Sequence, residues 1–232
     1  MLTSAIKNES CKCEVYGNQP EDEHLKQILL DSGFGEHVRL ARPTSKPGQG
    51  KMLSRDVRLE QQSTDIQATK AQELVSFARE RLGRPLEDKP AYGILIDLME
   101  NTFEHASWVM KGQVSWWATV FCDLGKQKAC YSFVDMGVGI FKSSSFKQRI
   151  GYLAKAFNRP AEKIRALLER RIPSRTGLHY RGQGLPWIYE SGLAGRIENL
   201  VIITNNVYAR PLADEYRELD SNFNGTFLYW ET

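Results

Sequence analysis

The sequence predicts an α/β protein, and three observations carry that expectation. Apolar residues recur at helical spacing in TDIQATKAQELVSFARERL (64–82) and in ILIDLMENTFEHA (94–106). VSWWATVFCD (114–123) and KACYSFVDMG (128–137) are β-rich runs on either side of LGKQ, the pattern of an antiparallel hairpin. Toward the end, RIENLVIITNN holds a strand around 201–204 and FNGTFLYWE a last strand, with GLPWIYESGL helical before them.

Taken in order, residues 1–60 read as an appendage to the main domain. LKQILLDSGF (25–34) forms a short helix closed by Gly33, and RPTSKPGQGK is loop, marked by Pro47, Gly48 and Gly50. The helix over 64–82 is amphipathic, with Ile66, Leu74, Phe77, Ala78 and Leu82 apolar, and stops at Gly83. In the helix over 94–106, Leu95, Leu98, Phe103 and Ala106 form the core side. Asp97, Asn101 and Glu104 or His105 fall along another. Residues 141–181 are a long basic excursion, with AEKIRALLERRI helical and SRTGLHYRG rich in Ser, Arg and Gly. A connection of that length reads as a lid or a segment without fixed structure.

Composition narrows the classes. With 41% hydrophobic and 25% charged residues in 232, the chain can bury a full core. A net charge of +3, from 31 basic and 28 acidic residues, indicates neither a nucleic-acid nor a membrane surface. No apolar run approaches a membrane span, and MLTSAIKNESCKCEVYGN lacks the apolar core of a signal peptide, so a cytoplasmic location is expected. Cys11, Cys13, Cys122 and Cys130 do not make a disulfide framework, and Cys11-x-Cys13 with His24 and His37 does not match a zinc pattern.

Four segments, DLMENTFEHA, DMGVGI, RGQGL and NGTFLYW, resemble in order and spacing the boxes of the GHKL ATPases. That superfamily spans gyrase-type, heat-shock-chaperone-type and histidine-kinase ATP-binding domains and the anti-sigma-factor kinases. They correspond to its N box, its D-x-G-x-G and G-x-G-L glycine boxes and its final G-T strand. The resemblance covers roughly residues 64–232. It implies a two-layer α/β sandwich of the Bergerat type, with a mixed, mostly antiparallel sheet and an ATP lid over 141–181. ATP and Mg²⁺ are the cofactors it implies.

The residues support that assignment chemically. Asp135 ends a buried strand, where a carboxylate is costly without a donor; the exocyclic amine of adenine is one, and a turn amide is another. Gly137 and Gly139 lack Cβ, so the backbone there can turn sharply and approach a planar base. Gly182 and Gly184, before a helix, leave backbone amides facing phosphate, or form an ordinary turn. Asn101 can offer its side-chain carbonyl to Mg²⁺, which takes few protein ligands.

By the resemblance, Asp97 stands where hydrolysing members carry a glutamate base, here one methylene shorter; Glu100 is the possible substitute. His105 resembles a histidine of the anti-sigma-factor kinases. Arg175, His179 and Arg181 are candidates to pair with phosphate oxygens. Leu185 completes the second glycine box, and Thr226 resembles the threonine near the adenine pocket. Three functions stay open: an ATPase switch, a protein kinase of the histidine or anti-sigma serine type, and a nucleotide-binding module without turnover. His37-Val-Arg, followed by a Pro/Gly-rich loop, does not suit a phosphoacceptor helix pair. Another protein is an expected partner, with a homodimer possible.

Overall fold

The computed structural model describes residues 16–17, 23, 39–40, 57–63, 66–85, 88–103, 115–135, 137–142, 159–171 and 184–232. The chain divides into two compact units, Met1–Leu59 and Glu60–Thr232. In the first, β1 (Tyr16–Gly17) and β2 (Arg39–Leu40) pair in parallel. The helix expected over 25–34 and the loop over 43–51 lie outside the described residues.

The larger unit is mixed α/β. Its strands are β4 (Ser115–Asp123), β5 (Lys128–Asp135), β6 (Glu198–Arg210) and β7 (Glu215–Glu231), and β3 (Val57–Ser63) joins the same sheet in the order β3-β4-β5-β7-β6. The pairs β4–β5, β5–β7 and β7–β6 are all antiparallel. Its described helices are α1 (Ala68–Leu82), α2 (Asp88–Asn101), α3 (Pro160–Leu168) and α4 (Gly184–Leu193).

Alternation along the strands places Ala118, Val120 and Cys122 of β4 directly opposite Phe133, Tyr131 and Ala129 of β5; Leu228 and Trp230 of β7 continue those rows. All of these are buried in one core with Leu74 and Val75 of α1, Ile94, Leu95 and Met99 of α2, Ile164 and Leu168 of α3 and Ile188 of α4. Each such aliphatic side chain contributes about 1.5–3 kcal/mol when fully buried. Trp116 stacks with Phe133 at 5.7 Å and Tyr131 with Trp230 at 5.3 Å, so the aromatic rows set the register.

Helix ends follow local chemistry. Gly83 takes the left-handed conformation (φ 65°) and returns its amide to the Arg79 carbonyl, closing α1 where the sequence predicts. The helix begins at Ala68, however, and Ile66 stays 42% exposed ahead of it. α2 starts earlier than its apolar spacing predicts, because Asp88 supplies a carboxylate to the first turn, Pro90 fits there, and Asp88 also pairs with Arg79 at 2.7 Å.

Phe103 is 49% exposed rather than in the core. The turn at 102–103 winds wider than an α-turn, which rotates Phe103 out of the helical phase. β6 and β7 extend well beyond 201–204 and 223–231 into a long two-stranded arm joined through Pro211–Ala213.

A continuous lid over 141–181 does not hold. Ile164, Ala166, Leu167 and Leu168 of α3 belong to the core, and the helix packs against β6, β7 and α4. Arg165 pairs with Asp214, and Arg170 reaches Glu190 of α4 through Nη2 at 3.0 Å. The rest of the expected lid, 143–158 and 172–183, lies outside the described residues.

Candidate functional site

The polar side of α2 and the start of α4 meet. Asp97 and Asn101 lie one turn apart on α2, and Gly184, the first residue of α4, sits against both. A Cβ on Gly184 would stand 3.3 Å from Asn101 Nδ2, 3.4 Å from Asp97 Cβ and 3.5 Å from Asp97 Oδ2. A second glycine fixes the crossing. Trp187 of α4 covers Gly93 of α2, where a Cβ would fall 2.8 Å from Trp187 Cη2.

The start of α4 therefore faces the polar side of α2, with the first-turn amides that a helix leaves without intrahelical partners. Pro186 has no amide to offer and suits this turn for that reason. Leu185 is half-buried and packs against the core. Burial pushes the Asp97 carboxyl up to about 6, and the nearby Glu100 adds to the rise. Glu100 itself is exposed.

Asp135 is the buried carboxylate at the end of β5, only 9% exposed. It lies in the cross-strand row Trp116–Asp135–Thr226–Thr204, so Thr226 is its direct neighbour on β7. The Gly137 amide donates to Asp135 Oδ1 at 2.7 Å, so the carboxylate caps its own turn. Burial pushes its pKa up to about 6, while hydrogen bonds from Gly137 and Thr226 pull the other way. An ionised carboxylate has about four lone-pair sites, so those bonds leave capacity for a further donor.

Gly139 is glycine for a reason the motif does not state. Its φ is +75°, and a Cβ would stand 2.6 Å from Asn205 Oδ1, so the close approach is to a side chain of β6. Sequence reasoning passes over Thr204 and Asn205, both buried, which hold the loop after Asp135. The Ile140 amide donates to Thr204 Oγ1 at 2.9 Å and the Phe141 amide to Asn205 Oδ1 at 3.0 Å. Asn205 Nδ2 in turn donates to the Val138 carbonyl at 3.0 Å. A signal for them in the sequence is TNN, a polar break within β6 after the apolar run of 200–203.

Arg175, Arg181 and Gly182, together with His105 and His179, lie outside the described residues. Among the described residues no group of three or more His, Cys, Asp or Glu side chains forms a metal cage. No described helix is long and apolar enough to cross a membrane. Comparison with protein-family models found no match, and comparison with curated proteins found none.

Proposed function

We propose that the Glu60–Thr232 unit is a Bergerat-type ATP-binding domain that hydrolyses ATP slowly with Mg²⁺ and couples nucleotide occupancy to a partner protein or a second copy of the chain. The observation that carries this reading is the contact of Gly184 with Asn101 and Asp97, which joins two motifs remote in sequence. A helix start without Cβ, against an amide and a carboxylate, suits a metal-bound polyphosphate, because phosphate oxygens need backbone donors and room to approach them. Bound there, Mg²⁺ would neutralise charge developing on the transferred phosphoryl group.

In this reading Asp135 accepts the exocyclic amine of adenine, with Thr226 beside it, and Gly137 and Gly139 shape the loop around the base. Asn101 offers its carbonyl to the metal. Asp97 orients the attacking water next to the terminal phosphate, and its raised pKa suits a group that receives a proton near neutrality. By the resemblance, Arg175, Arg181 and Gly182 are the candidates to meet the phosphate oxygens.

Incubating the purified chain with ATP labelled on its terminal phosphate, with Mg²⁺, tests the proposal when free phosphate and labelled protein are both followed. Slow phosphate release that is lost in Asp97→Asn supports hydrolysis. Label appearing on an added serine-bearing protein would transfer the same site to the kinase reading. Binding of ATP with no turnover would leave only a nucleotide-binding module, and no binding at all would reject the domain assignment.

A further inference from the structure

The loop after Asp135 and the strand carrying Thr226 share a single buried hydroxyl. Thr204 Oγ1 accepts the Ile140 amide at 2.9 Å and donates to the Gly225 carbonyl at 3.1 Å. Gly225 immediately precedes Thr226, and Thr204 pairs with Thr226 across the β6–β7 ladder. One side chain thus spans both polypeptide segments that flank Asp135. Asn205 completes the span with its bonds to Val138 and Phe141 and by filling the space that Gly139 leaves.

This arrangement needs local distortion of β6. Asn205 adopts φ +50°, and the β6–β7 register shifts on both sides of it. A non-glycine residue in that conformation is uncommon, with asparagine among the most tolerant types. The bulge turns two consecutive side chains, Thr204 and Asn205, toward the same loop, which regular alternation forbids. Both are buried, at 0% and 3% exposure, so each unmade bond would leave a desolvated polar atom.

We propose that Thr204 and Asn205 are positioning residues that set base selectivity, holding the loop of Val138–Phe141 and the Gly225–Thr226 segment at the separation in which Asp135 receives the adenine amine. The proposal rests on the reading of Asp135 as the base-recognising carboxylate. Neither residue touches the nucleotide. Their effect is on how strongly the site distinguishes ATP from a triphosphate lacking the amine, because a loosened loop no longer fixes the Gly137 amide and the Thr226 segment around Asp135, so its remaining lone pairs lose their fixed direction toward the amine.

Thr204→Val keeps the shape and removes the hydroxyl; Thr204→Ser keeps the hydroxyl. Calorimetric titration of the full chain with ATP and with purine riboside triphosphate gives a selectivity ratio for each protein. The wild type is expected to prefer ATP by tenfold or more, Thr204→Val to bring the ratio within about threefold of unity, and Thr204→Ser to restore most of it. A merely structural role would weaken both ligands equally and leave the ratio unchanged, which would overturn the proposal. A wild type that binds ATP without preferring it would reject the role of Asp135, and the clamp would fall with it. Amide exchange without nucleotide reads the clamp directly, even in a variant that binds poorly. Ile140 should be protected in the wild type and in Thr204→Ser and exchange at least tenfold faster in Thr204→Val; equal protection in all three would also overturn it.

Discussion

Replacing Asp135 with Asn should change how stability depends on pH and weaken ATP binding. Burial raises this carboxyl from 3.8 to about 6, so between those values the folded chain holds a proton that the unfolded chain has lost. Stability accordingly falls as pH rises from about 4 to about 6, and the whole penalty is present at pH 7. At about 1.4 kcal/mol per pH unit the penalty is about 3 kcal/mol at most. Asn accepts the Gly137 amide through its own Oδ1 and carries no charge, while its Nδ2 meets the Thr226 donors at either pH. Relative to the wild type, Asp135→Asn should therefore be about 1–3 kcal/mol better off at pH 7 than at pH 4. The amide presents a donor where the adenine amine is also a donor, so ATP affinity should drop by about 1.5–3 kcal/mol, tenfold or more. Urea unfolding at both pH values and calorimetric titration measure the two effects. A variant destabilised equally at pH 4 and pH 7, or one that binds ATP like the wild type, would refute the reasoning.

Other substitutions probe the remaining contacts. Gly93→Ala forces a methyl to within 2.8 Å of the Trp187 ring and should cost about 1–3 kcal/mol in urea unfolding, partly recovered in the double variant with Trp187→Phe. Gly184→Ala meets Asn101 and Asp97 at 3.3 to 3.4 Å, a gap that small side-chain shifts absorb, so stability should hardly change while calorimetry shows Mg²⁺-ATP binding several-fold weaker. Asp97→Asn should keep nucleotide binding and lower kcat by roughly 10²-fold, whereas Asp97→Glu should retain or raise it. With Asp97 pushed up to about 6, phosphate release by the wild type should rise through that pH and level off above it, and the Asn variant should lose that rise.

How legible these features are depends on the range of the interactions that make them. The β4–β5 hairpin and α2 are plain in the sequence, since apolar spacing of period two or near three and a half is a local property. α3 is also visible as an amphipathic run, but no local signal says that Ile164 and Leu168 join the core. β6 looks as if it ends near Thr204 because Asn205 adopts a left-handed conformation and the register shifts there, which breaks the alternation that marks a strand. Within the candidate site, Asp97, Asn101, Asp135 and Gly184 stand out because motifs name them. Thr204, Asn205 and Gly93 act through partners remote in sequence, and only the fold exhibits those. Gly139 shows both sides: the motif marks the glycine, while Asn205 supplies the physical reason for it.

The central claim, that this unit binds ATP through Asp135 with Mg²⁺ held near Asn101, is tested most directly by calorimetric titration of the full chain with ATP, with and without Mg²⁺. Saturable one-to-one binding is predicted, stronger with Mg²⁺ than without it, with that dependence lost in Asn101→Ala and the affinity about tenfold or more lower in Asp135→Asn. No heat of binding at millimolar ATP, from protein that still unfolds cooperatively, would contradict it.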